Sequence, residues 1–250
     1  MTGVRREVHE GVCRIVLDRP QVSNAVDLAA ARGLAEAVEA AEATAVRAVL
    51  LTGEGARFCA GGDVQSFVAA AEPPKYLHQL ATELEAALRR LSELPKPVVA
   101  AVQGAVAGAG LAFVLNADIV VAAHSTKFRM AYSGIGLTPD CGVSYLLPRA
   151  VGIQRALELA LAGRTLTADE ARDWGLVTQV VEDDALSAAA ADIAAALANG
   201  SAAAFGQAKR LIRSSFSATR EQSAADEART IASAVTTDEA QELIRRFVNR

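Results

Sequence analysis

A chain of 250 residues that is 52% hydrophobic and 22% charged can bury a sizeable core, as one large domain or a main domain with an appendage, and is too apolar for disorder. Its formal net charge of −4 is scattered rather than blocked, which argues against nucleic acid as a partner and leaves room only for a local basic patch. Cys13, Cys59 and Cys141 form no CxxC pair, and His9, His78 and His124 form no ligand cluster, so neither a metal nor a disulfide framework is expected.

The N-terminal stretch MTGVRREVHEGVCRIVL lacks the charged, apolar, then small-residue order of a signal peptide. The long apolar run over 97–123 is broken by glycines and by Gln103, Asn116 and Asp118, which counts against a membrane span. A cytoplasmic protein with no membrane partner is expected.

Residues 12–18 (VCRIVLD) predict a strand that ends at the turn-forming Arg19-Pro20. Over 27–43, Leu28, Ala31, Leu34, Ala35 and Val38 fall at helical spacing behind Asp27. Residues 48–52 predict a buried strand stopped by Gly53-Glu54-Gly55, and 97–102 and 118–123 two more. This alternation predicts an α/β core with much parallel pairing. After about residue 143 the β-rich runs nearly vanish, apart from Val177–Val181. Helical patterns take over at 152–162, 167–173, 183–198, 202–215, 219–234 and 238–248. The expected plan is an α/β core over 1–185 and a helical C-terminal region over 186–250.

Two glycine-rich points follow predicted strands: FCAGGDV at 58–64 and QGAVAGAGLAF at 103–113. Small residues let a ligand approach the backbone, and a helix starting there aims free N–H groups at it. Two such points at neighbouring strand ends can place two donors around one oxygen, the requirement of an oxyanion hole. Each cluster alone is equally compatible with a tight turn or close helix packing. Neither is a dinucleotide-binding fingerprint, because a suitable acidic residue on a following strand end is missing. A third feature is Asp140 in GIGLTPDCGVSYLLPRAVG, residues 134–152, a carboxylate in a stretch otherwise poor in charge. Such a group is costly to leave ionised and suits proton transfer, although spacing alone favours a helix N-cap.

Together these segments resemble the crotonase, or enoyl-CoA hydratase/isomerase, family. The resemblance runs through LDRPQVSNAVD (17–27), LTGEGARFCAGGDV (51–64), KPVVAAVQGAVAGAGLAFVLNADIVVAA (96–123), KFRMAYSGIGLTPDCGVSYLLPRAVG (127–152) and ALELALAGRTLTADEARDWGLVTQVV (156–181). It implies a spiral of ββα units with a helical C-terminal region that covers the active site and builds a homotrimer or homohexamer. It also implies an acyl-CoA thioester as substrate, held as its enolate, with no cofactor beyond the CoA that the substrate carries. Matched residue by residue, the two oxyanion-hole N–H groups fall on Gly62 and Ala109. Ala60, Gly61, Gly62, Asp63 and Val64, with Ala109, are expected along the CoA.

The departures carry information. Hydratases of this family have two glutamates, and the matching positions here hold Ala112 and Tyr132. The basic residues often found just before Asn24 are replaced by Val22 and Ser23. Asp140 instead matches a catalytic carboxylate of some isomerases, including those resembling ring-epoxide phenylacetyl-CoA isomerases. One carboxylate suffices for a 1,3 proton shift, so the resemblance favours a β,γ- to α,β-enoyl-CoA isomerase with Asp140 as acid and base. A hydratase or other lyase, and an aryl-CoA dehalogenase lacking its histidine base because Arg89 stands there, are the alternatives within the family. A non-catalytic acyl-CoA binder is the alternative outside enzymes. Met130, Tyr132 and Tyr145 are expected acyl-pocket walls, with Leu77, Leu80, Leu84 and Leu88 on a helix beside them.

Overall fold

Runs of β-branched residues buried on both faces pair in parallel, and the computed structural model, which describes residues 2–249, builds its central sheet from them. Six strands line up in the order β1 (Val4–His9), β2 (Val12–Leu17), β3 (Ala48–Gly53), β4 (Val98–Val102), β6 (Ile119–Ala123) and β9 (Gln179–Val181). All neighbours are parallel except β1 and β2, which form an antiparallel hairpin. A small second sheet joins β5 (Ala105–Ala107), β7 (Lys127–Arg129) and β8 (Thr165–Thr167). The expected α/β architecture with a helical C-terminal region is the one observed.

The pleat sends alternate residues to opposite faces. Val49, Leu51, Val98, Ala100 and Val102 join the main core, together with residues of α1 (Leu28–Ala40), α3 (Pro73–Glu93) and α4 (Ala109–Asn116). Leu50, Val99, Ala101 and Val121 face the other way and are covered by Leu186, Ala190 and Ala194 of α8 (Leu186–Asn199). α5 (Val143–Val151), α6 (Ile153–Ala162) and α7 (Ala168–Asp173) add residues to the main core, and the short α2 (Val64–Val68) precedes α3. The chain continues through α9 (Ala202–Ser214), α10 (Arg220–Ala234) and α11 (Asp238–Val248).

The alanine-rich α8 settles on the sheet because small side chains let helix and strands approach closely. α9 is tied on by charge instead. Lys209 and Arg213 each reach Asp118 at 2.8 Å, and Arg213 also donates to the carbonyls of Asn116 and Ala117 at 3.3 Å each, at the C-terminal end of α4. α10 and α11 bury none of their residues, and Ile231 and Phe247 are exposed. Among the described residues no single helix is long and apolar enough to cross a membrane. α8 and α9 pass that test only as a pair bent by 106°.

The parallel strands end at one side of the sheet, and Leu17 of β2 stands opposite Gly53 of β3 there. The loops that follow β2, β3 and β4 therefore meet at one place, where sites form in sheets of this kind. α4 begins in that cluster and packs almost directly on backbone: a Cβ added to Gly110 would lie 2.4 Å from the Cys59 carbonyl oxygen. Gly110→Ala must push α4 away from the Cys59 loop. We expect a loss of about 1–3 kcal/mol, the usual cost of overpacking, measured by urea unfolding of the variant beside the parent chain.

Candidate active site

The loop after β3 is held by its neighbours rather than by secondary structure of its own. Phe58 and Cys59 donate to the carbonyls of Gln103 and Ala105, and Ala107 donates back to Cys59 at 3.0 Å. On the opposite side, the Val26 N–H donates to Gly61 and the Asp63 N–H to Val26, each at 2.8 Å. These bonds flank Gly62 and leave its own N–H with no carbonyl partner among the described residues. The space beside Gly62 is open, since an added Cβ would meet nothing within 4 Å.

Ala109 occupies the first position of α4, where an N–H has no intrahelical acceptor. The preceding Gly108 has φ +52, a left-handed turn that a glycine makes without strain. The Gly61 loop lies against this turn, with an ideal Gly61 Cβ only 3.7 Å from the Ala109 nitrogen. Both loops open onto one cavity of about 450 Å³, lined by Ala60, Gly61, Gly62, Val64, Gly108 and Ala109 on this side.

The facing wall comes from α3 and from the segment after β7. Leu77, His78, Leu80, Ala81 and Leu84 face the cavity from α3, while Leu88 lies wholly in the core. Tyr132, Ile135, Leu137, Thr138, Pro139 and Asp140 add to the lining. The Tyr132 hydroxyl donates to Asp140 Oδ1 at 2.8 Å. Burial, reinforced by the adjacent Asp140 charge, pushes the Tyr132 phenol well above its ordinary range, so it stays a hydrogen-bond donor.

Asp140 does not cap α5. That helix starts behind Gly142 with no side-chain cap, and only the Asp140 carbonyl takes part in the turn, accepting from Val143 at 3.0 Å. Cys141, next in sequence, holds φ +49, an uncommon conformation for a residue with a Cβ. Burial, then the charge of Asp140, raises the Cys141 thiol, which makes it a poor nucleophile. Glu85 of α3 approaches the same turn, with Oε2 3.2 Å from where a Gly142 Cβ would stand. Burial and the nearby Asp140 charge raise its carboxyl.

Three expected site residues stand elsewhere. Met130, which follows β7, is buried in the core and does not line the cavity. Tyr145 lies on the outer face of α5, 52% exposed, with the Arg149 guanidinium stacked 3.5 Å over its ring. The Asp63 carboxylate is committed to structure rather than to a ligand. It caps α2 by accepting from Ser66 and pairs at 2.9 Å with Arg19, which also reaches Asp27 at 3.0 Å. Val26 and His78 line the cavity without having been singled out as site residues. The signal for His78 was its place beside Leu77 and one turn before Thr82 on a helix whose leucines were assigned to the wall.

Burial alone would raise the Asp63 carboxyl, but its bonds from Arg19 and Ser66 outweigh that and hold it below the usual carboxylate range. A depressed folded-state value contributes stability that is present above the unfolded value and is lost as pH falls through the folded one. Asp63→Asn keeps the cap and loses the ion pair. At pH 7 it should cost about 1–3 kcal/mol, and the deficit should narrow in acid, as Asp63 of the parent chain begins to be neutralised too. Urea unfolding at pH 7 and near pH 3 checks both halves.

The enoyl-CoA hydratase/isomerase family pattern matches residues 7–250. The 1,2-epoxyphenylacetyl-CoA isomerase of Escherichia coli (strain K12) is 40% identical over 219 residues, covering 86% of this chain and 83% of that protein. The trans-2-decenoyl-[acyl-carrier-protein] isomerase of Streptococcus mutans is 33% identical over 221 residues, covering 86% of this chain and 83% of that protein. An enoyl-CoA hydratase from Polaromonas sp. JS666 superposes with a TM-score of 0.94 at 33% identity, covering 98% of this chain and 96% of that one. The chain belongs to the enoyl-CoA hydratase/isomerase family, and its chemistry is of that family's acyl-CoA kind.

Proposed function

We propose that this chain is a double-bond isomerase that converts a β,γ-enoyl-CoA to its α,β isomer with Asp140 as the proton carrier. The observation that carries the reading is the shared cavity. The Asp140 carboxylate lines the same space as Gly62 and Ala109, whose N–H groups have no acceptor among the described residues. The thioester carbonyl sits between those two donors, which stabilise negative charge as it develops on the oxygen. Asp140 removes the α-proton, the electron pair spreads through the dienolate, and the proton returns at the γ-carbon. The double bond then lies between the α- and β-carbons, and Asp140 is again a carboxylate.

The site is poorly furnished for hydration. Ala112, at one hydratase glutamate position, is buried in α4 away from the cavity wall, and Tyr132, at the other, offers a neutral phenol. Among the described residues Asp140 is the one carboxylate on the cavity wall, whereas hydration by a carboxylate pair needs one to activate water and another to protonate carbon. The second reading is aryl-CoA dehalogenation, with Asp140 as nucleophile. It is favoured by His78 on the same wall, whereas Arg89 is exposed on α3, 3.9 Å from Glu93.

Asp140→Asn keeps the size of the side chain and cannot take a proton near neutral pH. Isomerisation should fall about 10²–10⁴-fold in kcat with acyl-CoA affinity nearly unchanged, as read by steady-state kinetics on β,γ-enoyl-CoA substrates. Robust hydration of an α,β-enoyl-CoA that survives this change would refute the isomerase. Halide release from a halogenated aryl-CoA by the parent chain would select the dehalogenase instead.

The same reading includes assembly into a homotrimer or a dimer of trimers through the region over 186–250. Its support is that α10 and α11 bury no residue fully within the chain and present Ile231, Leu243, Ile244 and Phe247 outward. Sedimentation at micromolar concentration should give a trimer or hexamer, and a stable monomer would contradict it.

A further inference from the structure

Proton shuttling by one carboxylate has a geometric weakness. An aspartate side chain can turn about its last bond and exchange its two oxygens, so either can face the substrate or neither can. In this chain the Tyr132 hydroxyl opposes that rotation with an oxygen-to-oxygen hydrogen bond, and the weaker Cys141 thiol lies beside the same carboxylate. Tyr132 donates its hydroxyl to Oδ1 of Asp140 at 2.8 Å, while Oδ2 accepts from no donor among the described residues.

Tyr132 is itself firmly placed. Its backbone carbonyl accepts from the N–H groups of Ile135 and Leu137, at 3.1 Å each, and its ring packs against the main core. Its burial and the carboxylate beside it keep the phenol protonated, so the bond has a fixed polarity, from Tyr132 to Asp140. Both residues line the cavity, and the backbone between them reverses within eight positions.

We propose that Tyr132 is a positioning residue for the proton shift, holding Oδ1 so that Oδ2 alone takes the proton from the α-carbon and delivers it to the γ-carbon. The inference rests on the isomerase reading and adds to it the identity of the working oxygen. A carboxylate with one oxygen pinned keeps the proton on the side of the dienolate between the two halves of the reaction. A carboxylate free to turn presents that proton to solvent for part of the time. The same phenol also occupies the position where a second carboxylate would activate water, and a protonated phenol is no base.

The test uses Tyr132→Phe in the full-length chain, with Asp140→Asn and the double variant beside it. Phenylalanine keeps the ring and removes only the hydroxyl, and thermal unfolding confirms that the variant is folded. The expected result is a kcat lower by about 10–100-fold with KM within about twofold, the usual worth of a hydrogen bond to a charged group. The double variant should be no slower than Asp140→Asn alone, because Tyr132 acts through Asp140. With an α-deuterated β,γ-enoyl-CoA, the fraction of label carried to the γ-carbon should drop in Tyr132→Phe. A purely structural role would not move that fraction. A parent chain that isomerises while Tyr132→Phe retains its kcat and its label transfer overturns the role of Tyr132 and leaves the isomerase standing. A parent chain that isomerises no β,γ-enoyl-CoA overturns the isomerase, and this inference with it.

Discussion

The site depends on one buried amide. Asn24 is 2% exposed and sits in the left-handed region with φ 56, a conformation asparagine tolerates better than most residues. Its side-chain nitrogen donates to the carbonyls of Glu54 and Arg57, and its oxygen accepts from the Arg19 N–H at 2.8 Å. The loop leaving β2 is thereby fastened to the loop leaving β3. Arg19 completes the clamp by standing between Asp27 and Asp63 and by donating to the Ala25 carbonyl. Because buried polar groups are expensive when unpaired, this network tolerates few arrangements, and the one it adopts leaves the Gly62 N–H with no carbonyl partner among the described residues. The donor is available because its neighbours on both sides are already engaged.

The chemistry is correspondingly spare. Apart from backbone, the ionisable side chains on the cavity wall among the described residues are His78, Tyr132 and Asp140, set among leucine, alanine and proline. An apolar wall strengthens the few polar contacts that remain and discourages water from competing with a bound thioester. Ala112 lies buried in α4 and Tyr132 on the cavity wall, so neither of these two positions brings an acid to it.

Much of this could be read from the chain, for identifiable reasons. The parallel strands were legible because Ala48–Thr52, Pro97–Val102 and Asp118–Ala123 are apolar on both faces. β1 was not, because VRREVH is an exposed edge strand with charges on both faces. β5, β7 and β8 have three residues each, too few to show a period of two. Gly62, Ala109 and Asp140 stood out through glycine spacing and family likeness, and all three line the cavity. Nothing local in the sequence separates Met130 and Tyr145 from the wall residues between them, yet Met130 is buried in the core and Tyr145 lies on the outward face of α5. No local pattern announces that Tyr132 reaches Asp140 eight residues on, since that contact exists only after the loop between them has folded back.

The tether between α9 and α4 links the C-terminal third of the chain to the cavity. α4 is eight residues long, and the Ala109 N–H is its leading end. At its trailing end Arg213 lies against the last carbonyls, with Lys209 sharing Asp118. Cations there complement the negative pole of the helix, just as an oxygen anion at Ala109 would complement the positive pole. Under the proposed function the short helix would be terminated electrically at both ends, by protein at one and by ligand at the other. Residues some hundred positions downstream in sequence thereby help to set the field in which the thioester oxygen would acquire its charge.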